Sequence, residues 1–224
     1  MDRMNKVIAI EQAISLVKDG DTVMVGGFMG NGTPEKLIDA LIASGRKNLT
    51  LISSDTAMPD RGIGRLVVNK LFRKIITTHI GLNKEAGRQV SAGETEIDLV
   101  PLGTLAERIR AAGFGLGGVL TPTGLGTLLE EGKEKITVDG KTYLLEKPLP
   151  ADIALIYAHK ADKAGNLVYK GSQNNLNNIM STAAKITIVE AGQIVERGGL
   201  DPNAVMTPGV FVNYIVDGGG SGNG

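Results

Sequence analysis

The chain has no cysteine, no tryptophan, only four phenylalanines and four tyrosines, and two histidines. The missing cysteine excludes disulfides, thiolate metal sites and a thiol nucleophile within this chain, and it fits a reducing compartment. Charge of one sign is also lacking: 24 basic and 24 acidic residues cancel, so nothing points to a nucleic-acid or membrane-surface partner. No apolar run approaches the ~20 residues of a membrane span, and the start, Met1 to Lys6, has no apolar signal-peptide core. The expectation is a soluble, cytoplasmic protein with an aliphatic core.

Glycine is what the chain has in quantity: 31 residues among 224, with 42% hydrophobic residues. That length allows one large domain or two small ones. No break in composition marks a boundary, so one mixed α/β domain over residues 1–217 is expected. The Gly-rich tail over 218–224 has nothing to bury and is expected to be flexible.

Apolar residues at helical spacing (Ile10, Ala13, Ile14, Val17) predict a first helix stopped by Gly20. Thr22 to Val25 reads as the first strand. Thr33 is placed to cap a second helix, with Pro34 in its first position, Leu37, Ile38, Leu41 and Ile42 as its buried stripe, and Gly45 as its end. Further strands are predicted at Leu49–Ser53, Ile75–Ile80, Ile97–Val100, Ile153–Ala158, Ile186–Glu190 and Val210–Val216. Thr104 and Glu107 have capping-box spacing for a helix over Leu105–Ala112, and Asn174–Ala184 reads as another helix. Lys135–Val138 and Lys141–Leu145 flank Asp139-Gly140, a two-residue hairpin of type I′. Short strands alternating with helices imply an open, mostly parallel, doubly wound sheet, here with a small β-rich insertion.

The densest motif runs from Asp19-Gly20 through Val23-Met24-Val25-Gly26-Gly27-Phe28-Met29-Gly30-Asn31-Gly32-Thr33-Pro34. A strand enters four glycines and a helix begins at once, the makings of an anion-binding corner. The alternative is a tight strand-to-helix turn of any doubly wound fold. Two nucleotide motifs fail on context. Gly113-x-Gly115-x-x-Gly118 follows a helix, and Pro122 comes too soon for a helix to open after it. Gly27 to Gly32 has P-loop spacing, but Thr33-Pro34 stands where Lys-Ser/Thr is required.

Asp-Gly, three aliphatics, Gly-Gly-Phe, three residues and Gly-x-Pro resembles the signature of α subunits of family I CoA-transferases, the acetate/acetoacetate type. Further blocks are similar: Ile52-Ser53-Ser54-Asp55-Thr56, His79-Ile80-Gly81-Leu82-Asn83, Gly103-Thr104-Leu105-Ala106-Glu107-Arg108, Thr121-Pro122-Thr123-Gly124, Ala164-Gly165-Asn166 and Met206-Thr207-Pro208-Gly209-Val210. The resemblance spans about Lys6 to Val216.

The resemblance implies a short-chain acyl-CoA:carboxylate CoA-transferase working by double displacement, with CoA as substrate and no further cofactor or metal. The nucleophilic Glu of such enzymes lies in a Ser-Glu-Asn-Gly stretch of the β subunit. This chain has no such stretch, so a β-subunit partner is implied and this chain alone is expected to be inactive. Glu190, at a strand end, is the internal candidate, with a structural hydrogen-bonding role as the favoured reading. Gly26, Gly27, Phe28, Met29, Gly30, Asn31 and Gly32 become the chain's share of the CoA/acyl site, with Phe28 packed under the loop and Asn31 bracing the turn or donating. Leu102 stands where relatives often carry Gln, and Phe114 where they tend to have a small residue. Leu102, Phe114 and His79 are therefore candidates for an altered, more apolar acyl pocket, and His159 is expected to be solvated. A sugar-phosphate isomerase or deaminase of related fold, and a non-catalytic scaffold subunit, remain as alternatives.

Overall fold

The computed structural model describes residues 5–219. The elements, in chain order, are α1 (Ile10–Ser15), β1 (Thr22–Val25), α2 (Glu35–Ala43), β2 (Leu49–Ile52), α3 (Ile63–Val68), β3 (Phe72–Thr77), α4 (Lys84–Ser91) and β4 (Glu96–Leu99). There follow α5 (Leu102–Gly113), β5 (Val119–Thr121), β6 (Lys135–Val138), β7 (Lys141–Glu146), β8 (Ala151–Asp162), β9 (Leu167–Val168), α6 (Asn177–Met180), β10 (Ala184–Val195) and β11 (Tyr214–Asp217).

Seven strands form a parallel sheet in the order β11-β10-β8-β1-β2-β3-β4, and β9 pairs antiparallel with β8. The chain winds outward from β1 to β4, then returns to β1's other side as β8 and moves outward again. The order therefore reverses between β1 and β8, and ligands of open α/β sheets bind beyond the carboxyl ends of the strands at such a point. Both faces are covered. Val23 and Val25 pack with Leu37, Leu41 and Leu66 on the side of α1 to α4, while Met24 packs with Leu105, Ile109 and Met180 on the side of α5 and α6. Burial on both faces is why the strands read as unbroken aliphatic runs. β8 and β10 pair over most of their length, whereas β1 meets β8 only at Val23 to Val25. Their ends overhang β1 and wall the crevice.

The insertion is a separate antiparallel sheet, β5-β7-β6, whose hairpin turns on Asp139 (φ 49°) and Gly140 (φ 74°), as its spelling requires. Several boundaries differ from those predicted. β3 starts at Phe72 rather than Ile75: Arg73 and Lys74 break the apolar run, yet Phe72 pairs with Leu49 and Lys74 with Thr50 and Glu96, the register shifting across the unpaired Arg73. It ends at Thr77, where Thr78 turns to donate its hydroxyl to Ser54 O at 2.6 Å. α5 starts at Leu102 with Pro101 at its cap, so Thr104 lies buried inside the helix and the capping box is absent. Asn174–Ala184 is helical only over Asn177–Met180, since Asn175 adopts φ 42° and Ala184 is drawn into pairing with Ala151. Val210 to Phe211 belongs to a tight 3-10 turn before β11. The tail is not free at its start: Gly218 donates to Ala191 O at 2.8 Å and Gly219 to Asp217 Oδ1 at 2.8 Å. Residues 220–224 lie outside the described ones.

Candidate functional site

The glycine corner leaves β1 at the carboxyl edge, beside the point where the strand order reverses. Gly26 still donates to Leu155 O of β8 at 3.0 Å. Phe28 and Asn31 then exchange both backbone hydrogen bonds, at 3.0 and 2.9 Å, around a two-residue turn of Met29 (φ 52°) and Gly30 (φ 89°). Left-handed backbone is costly for methionine. It is held by the buried Asp55, whose Oδ2 accepts from Met29 N at 2.9 Å and Oδ1 from Ala57 N at 2.6 Å. Ala57 is itself left-handed (φ 47°), so one carboxylate pins two strained residues. Ser54 donates to Gly27 O at 2.5 Å, and Asn31 donates through Nδ2 to Ser172 Oγ. Asn31 thus braces the turn.

The glycines are required for packing as well as for access. A Cβ at Gly26 would lie 1.7 Å from Asn177 Oδ1, although the Gly26 backbone is not left-handed. Asn177, fully buried in α6, is the clamp behind the corner. Its Nδ2 donates to Gly32 O (2.9 Å) and Gln173 O (2.8 Å), and its Oδ1 accepts from Tyr157 N (3.2 Å). The amides of Gly26, Phe28, Met29 and Asn31 are committed internally. Those of Gly27, Gly30 and Gly32 have no hydrogen-bond partner among the described residues.

Thr33 does not cap α2. Pro34 takes the cap position, and the Thr33 hydroxyl is buried against Gly27 without a partner among the described residues. The acceptor comes instead from β10: Glu190 Oε2 accepts from Leu37 N at 3.0 Å. Glu190 is 2% exposed. Burial raises its pKa to about 7, against the pull of the Leu37 and Lys36 amides and the charge of Lys36. Tyr157, facing it across the β8–β10 ladder, is raised by burial and then by the Glu190 charge. The anion at this helix N-terminus is therefore one of the chain's own carboxylates.

The remaining predicted residues divide. Phe28 is 45% exposed and does not pack under the loop. His79, in the loop after β3, is exposed, and its carbonyl accepts from Thr56 N at 3.2 Å. Leu102 and Phe114 do not share a pocket. They sit at the first position and the carboxyl cap of α5, which puts them about 18 Å apart at 1.5 Å per residue. Leu102 lies at the carboxyl edge with the corner, next to a cleft of about 290 Å³ between α5 and β5 lined by Pro101, Gly103 and Thr121. Phe114 lies at the opposite edge, in a different cleft of about 250 Å³ with Ile179, Met206 and Phe211. His159 is half-buried rather than solvated, and burial lowers its pKa, aided by Lys160 and Lys170. Asp55, Asn177 and the capping role of Glu190 were not legible as site features. The only signal in sequence was that Asp55 falls within a block resembling the CoA-transferases. Among the described residues no three His, Asp or Glu come together as a metal set, and no helix is long and apolar enough to cross a membrane.

A doubly wound sheet with a glycine corner at its reversal point suits several chemistries, and comparison with known proteins decides among them. The chain belongs to the coenzyme A transferase family, whose model matches residues 7–218. It is 53% identical to the acetate CoA-transferase subunit alpha of Escherichia coli (strain K12), over 94% of this chain and 96% of that one. It is 52% identical to the acetoacetyl-CoA:acetate/butyrate CoA transferase alpha subunit of Clostridium acetobutylicum, over 95% and 97%. An acyl-CoA transferase from Escherichia coli O157:H7 has the same fold, with TM-score 0.85 and 22% identity over 97% of this chain; the chain spans only 47% of that longer one. Glutaconate coenzyme A-transferase of Acidaminococcus fermentans superposes with TM-score 0.84 at 20% identity, over 95% of this chain and 75% of that one.

Proposed function

We propose that the chain is the α subunit of a short-chain acyl-CoA:carboxylate CoA-transferase of the acetate/butyrate–acetoacetate type, active with a β subunit that carries the nucleophilic Glu. In this reading the β-subunit carboxylate attacks the thioester carbonyl carbon, and the C–S bond breaks to release CoA thiolate and leave a mixed anhydride. The thiolate attacks the glutamyl carbonyl, expelling the first carboxylate and forming a glutamyl-CoA thioester. The acceptor carboxylate reverses both steps. CoA is a substrate throughout, and no other cofactor is called for.

The observation that carries the assignment is the identity to two α subunits over nearly the whole of each chain. The geometry supports a shared site. The amides of Gly27, Gly30 and Gly32 have no hydrogen-bond partner among the described residues, and in this reading they serve as preorganised donors to a developing oxyanion. Around them, the four successive strand-to-helix connections from β1 to α5 expose large apolar side chains at the carboxyl edge: Phe28 and Met29, Met58, Leu82, and Leu99 with Leu102. Such a rim suits burial by a partner chain. In this reading Leu102, exposed at that edge, supplies an apolar surface to the acyl group.

The test is co-expression with the β subunit, addition of acetoacetyl-CoA, and mass spectrometry of both chains. A CoA adduct on a β-subunit Glu and none on this chain is the expected result. An adduct on this chain overturns the division of labour, and no adduct on either chain favours a scaffold.

A further inference from the structure

We propose that Glu190 is a positioning residue for the transfer reaction: from the middle of β10, a strand that runs on to Val195 rather than ending at Glu190, its buried carboxylate holds the first turn of α2 and so fixes the glycine corner that runs into it. The proposal rests on the reading above that the corner faces the acyl-CoA.

Only Thr33 to Lys36 separate the corner from the amide that Glu190 holds. Local sequence supplies no cap. Pro34 carries no amide hydrogen, and the Thr33 hydroxyl bonds to nothing among the described residues. Without Glu190 the first-turn amides of α2 would be buried and bare, a condition helices avoid. The charged and titratable groups around the carboxylate are few. On α2 they are Glu35 and Lys36, and Arg65 of α3 is committed to Glu35 at 3.3 Å and to Asp39. On β8 the Tyr157 hydroxyl is buried without a partner among the described residues. From the β11 side Gly218 packs within reach of the Glu190 Cγ, and Asp217 neighbours Ala191 in the ladder. Peptide dipoles thus do the holding, and no ion pair to Glu190 is present among the described residues. A neutral acceptor would hold the turn less firmly than a charged one.

The experiment uses the assembled two-chain enzyme with Glu190→Ala and Glu190→Gln, reading kcat and KM for acetoacetyl-CoA and hydrogen exchange at the Leu37 amide. Glu190→Ala is expected to lose about tenfold in Leu37 protection, the loss of one hydrogen bond. Its kcat should fall at least tenfold with little change in KM. Glu190→Gln keeps an acceptor and should retain kcat within about fivefold of the ionised wild type. Wild-type kcat should drop two- to fivefold from pH 8 to pH 6 as Glu190 takes up its proton, and the Gln variant should lack that step. If the Ala variant does not assemble, the pH step and its absence in the Gln variant carry the test. Wild-type kcat in the Ala variant despite lost protection overturns the proposal. So does a Gln variant as inactive as Ala with Leu37 protection intact, which would assign Glu190 a chemical role. Absence of CoA transfer in the wild-type assembly instead sinks the reading of function, and this proposal with it.

Discussion

Replacing Glu190 by Gln should make the chain more stable, increasingly so as pH rises. The carboxyl titrates near 4.5 in the unfolded chain and about 7 in the folded one, because burial disfavours the charge. A raised folded pKa means that the native state binds the proton more tightly than the unfolded state. Stability is then greatest below about pH 4.5 and falls as pH rises toward 7, beyond which the loss is complete. The shift of roughly 2.5 units corresponds to about 3 kcal/mol. Gln imitates the protonated acid in shape and in its acceptor for Leu37 N, but it cannot ionise. The difference in unfolding free energy between Glu190→Gln and wild type should therefore grow by about 3 kcal/mol from pH 4 to pH 8. Urea unfolding at intervals across that range measures it. The slope is the decisive quantity, since unequal hydrogen bonding of acid and amide adds only a constant. A difference that stays flat within about 0.5 kcal/mol would refute a native carboxyl shifted by burial.

Asn177→Ala removes three hydrogen bonds from a buried clamp and should cost about 3 kcal/mol of unfolding free energy at roughly 1 kcal/mol per bond. Gly26→Ala collides with the same amide oxygen and should destabilise comparably, but the double variant should cost well under the sum, which a denaturation double-mutant cycle will read. Asp55→Ala releases Met29 and Ala57 from left-handed backbone and should cost about 2–3 kcal/mol in the same assay. Phe114→Ala, at the far end of α5 from the corner, should leave the ranking of acyl donors in the assembled enzyme unchanged, whereas Leu102→Gln should alter it.

The parts of the fold that sequence could show are those set by neighbours in the chain. β1 was legible because both its faces are buried aliphatics. The β6–β7 hairpin was legible because Asp139-Gly140 must adopt positive φ. β3 and α5 shifted by three residues because the pairing of Phe72 and Lys74 outweighed the local polarity of Arg73 and Lys74, and because Pro101 opened its helix earlier than Thr104 could. Within the site, the glycines were visible but half of their reason was not. Gly26 is glycine because of a side chain on α6, and Gly32 is gripped by Asn177 from 145 residues away. The cap of α2 comes from 153 residues away, and no local pattern could have displaced Thr33 in its favour. Leu102 and Phe114 looked like partners because they are close in sequence. One helix between them, running antiparallel to the strands, puts them at opposite edges of the sheet.

A strand, four glycines and a helix start suggest a site where an incoming anion meets a helix dipole. In this chain the dipole of α2 is already answered by Glu190, so the helix end is not what the corner offers a ligand. What remains is the turn around Met29 and Gly30, with the Gly27, Gly30 and Gly32 amides near the reversal point of the sheet. Those donors are held on several sides, by Asp55 and Ser54 from the β2–α3 loop, by Asn177 from α6, and by Glu190 through α2. A turn fixed this firmly is suited to stabilising charge that develops during reaction, because little reorganisation is left to do. The same arrangement accounts for a buried carboxylate whose ionisation costs about 3 kcal/mol of stability at neutral pH. A neutral isostere would fold more stably, yet it would hold the turn through a weaker dipole contact, and the transferase would give up rate for that stability.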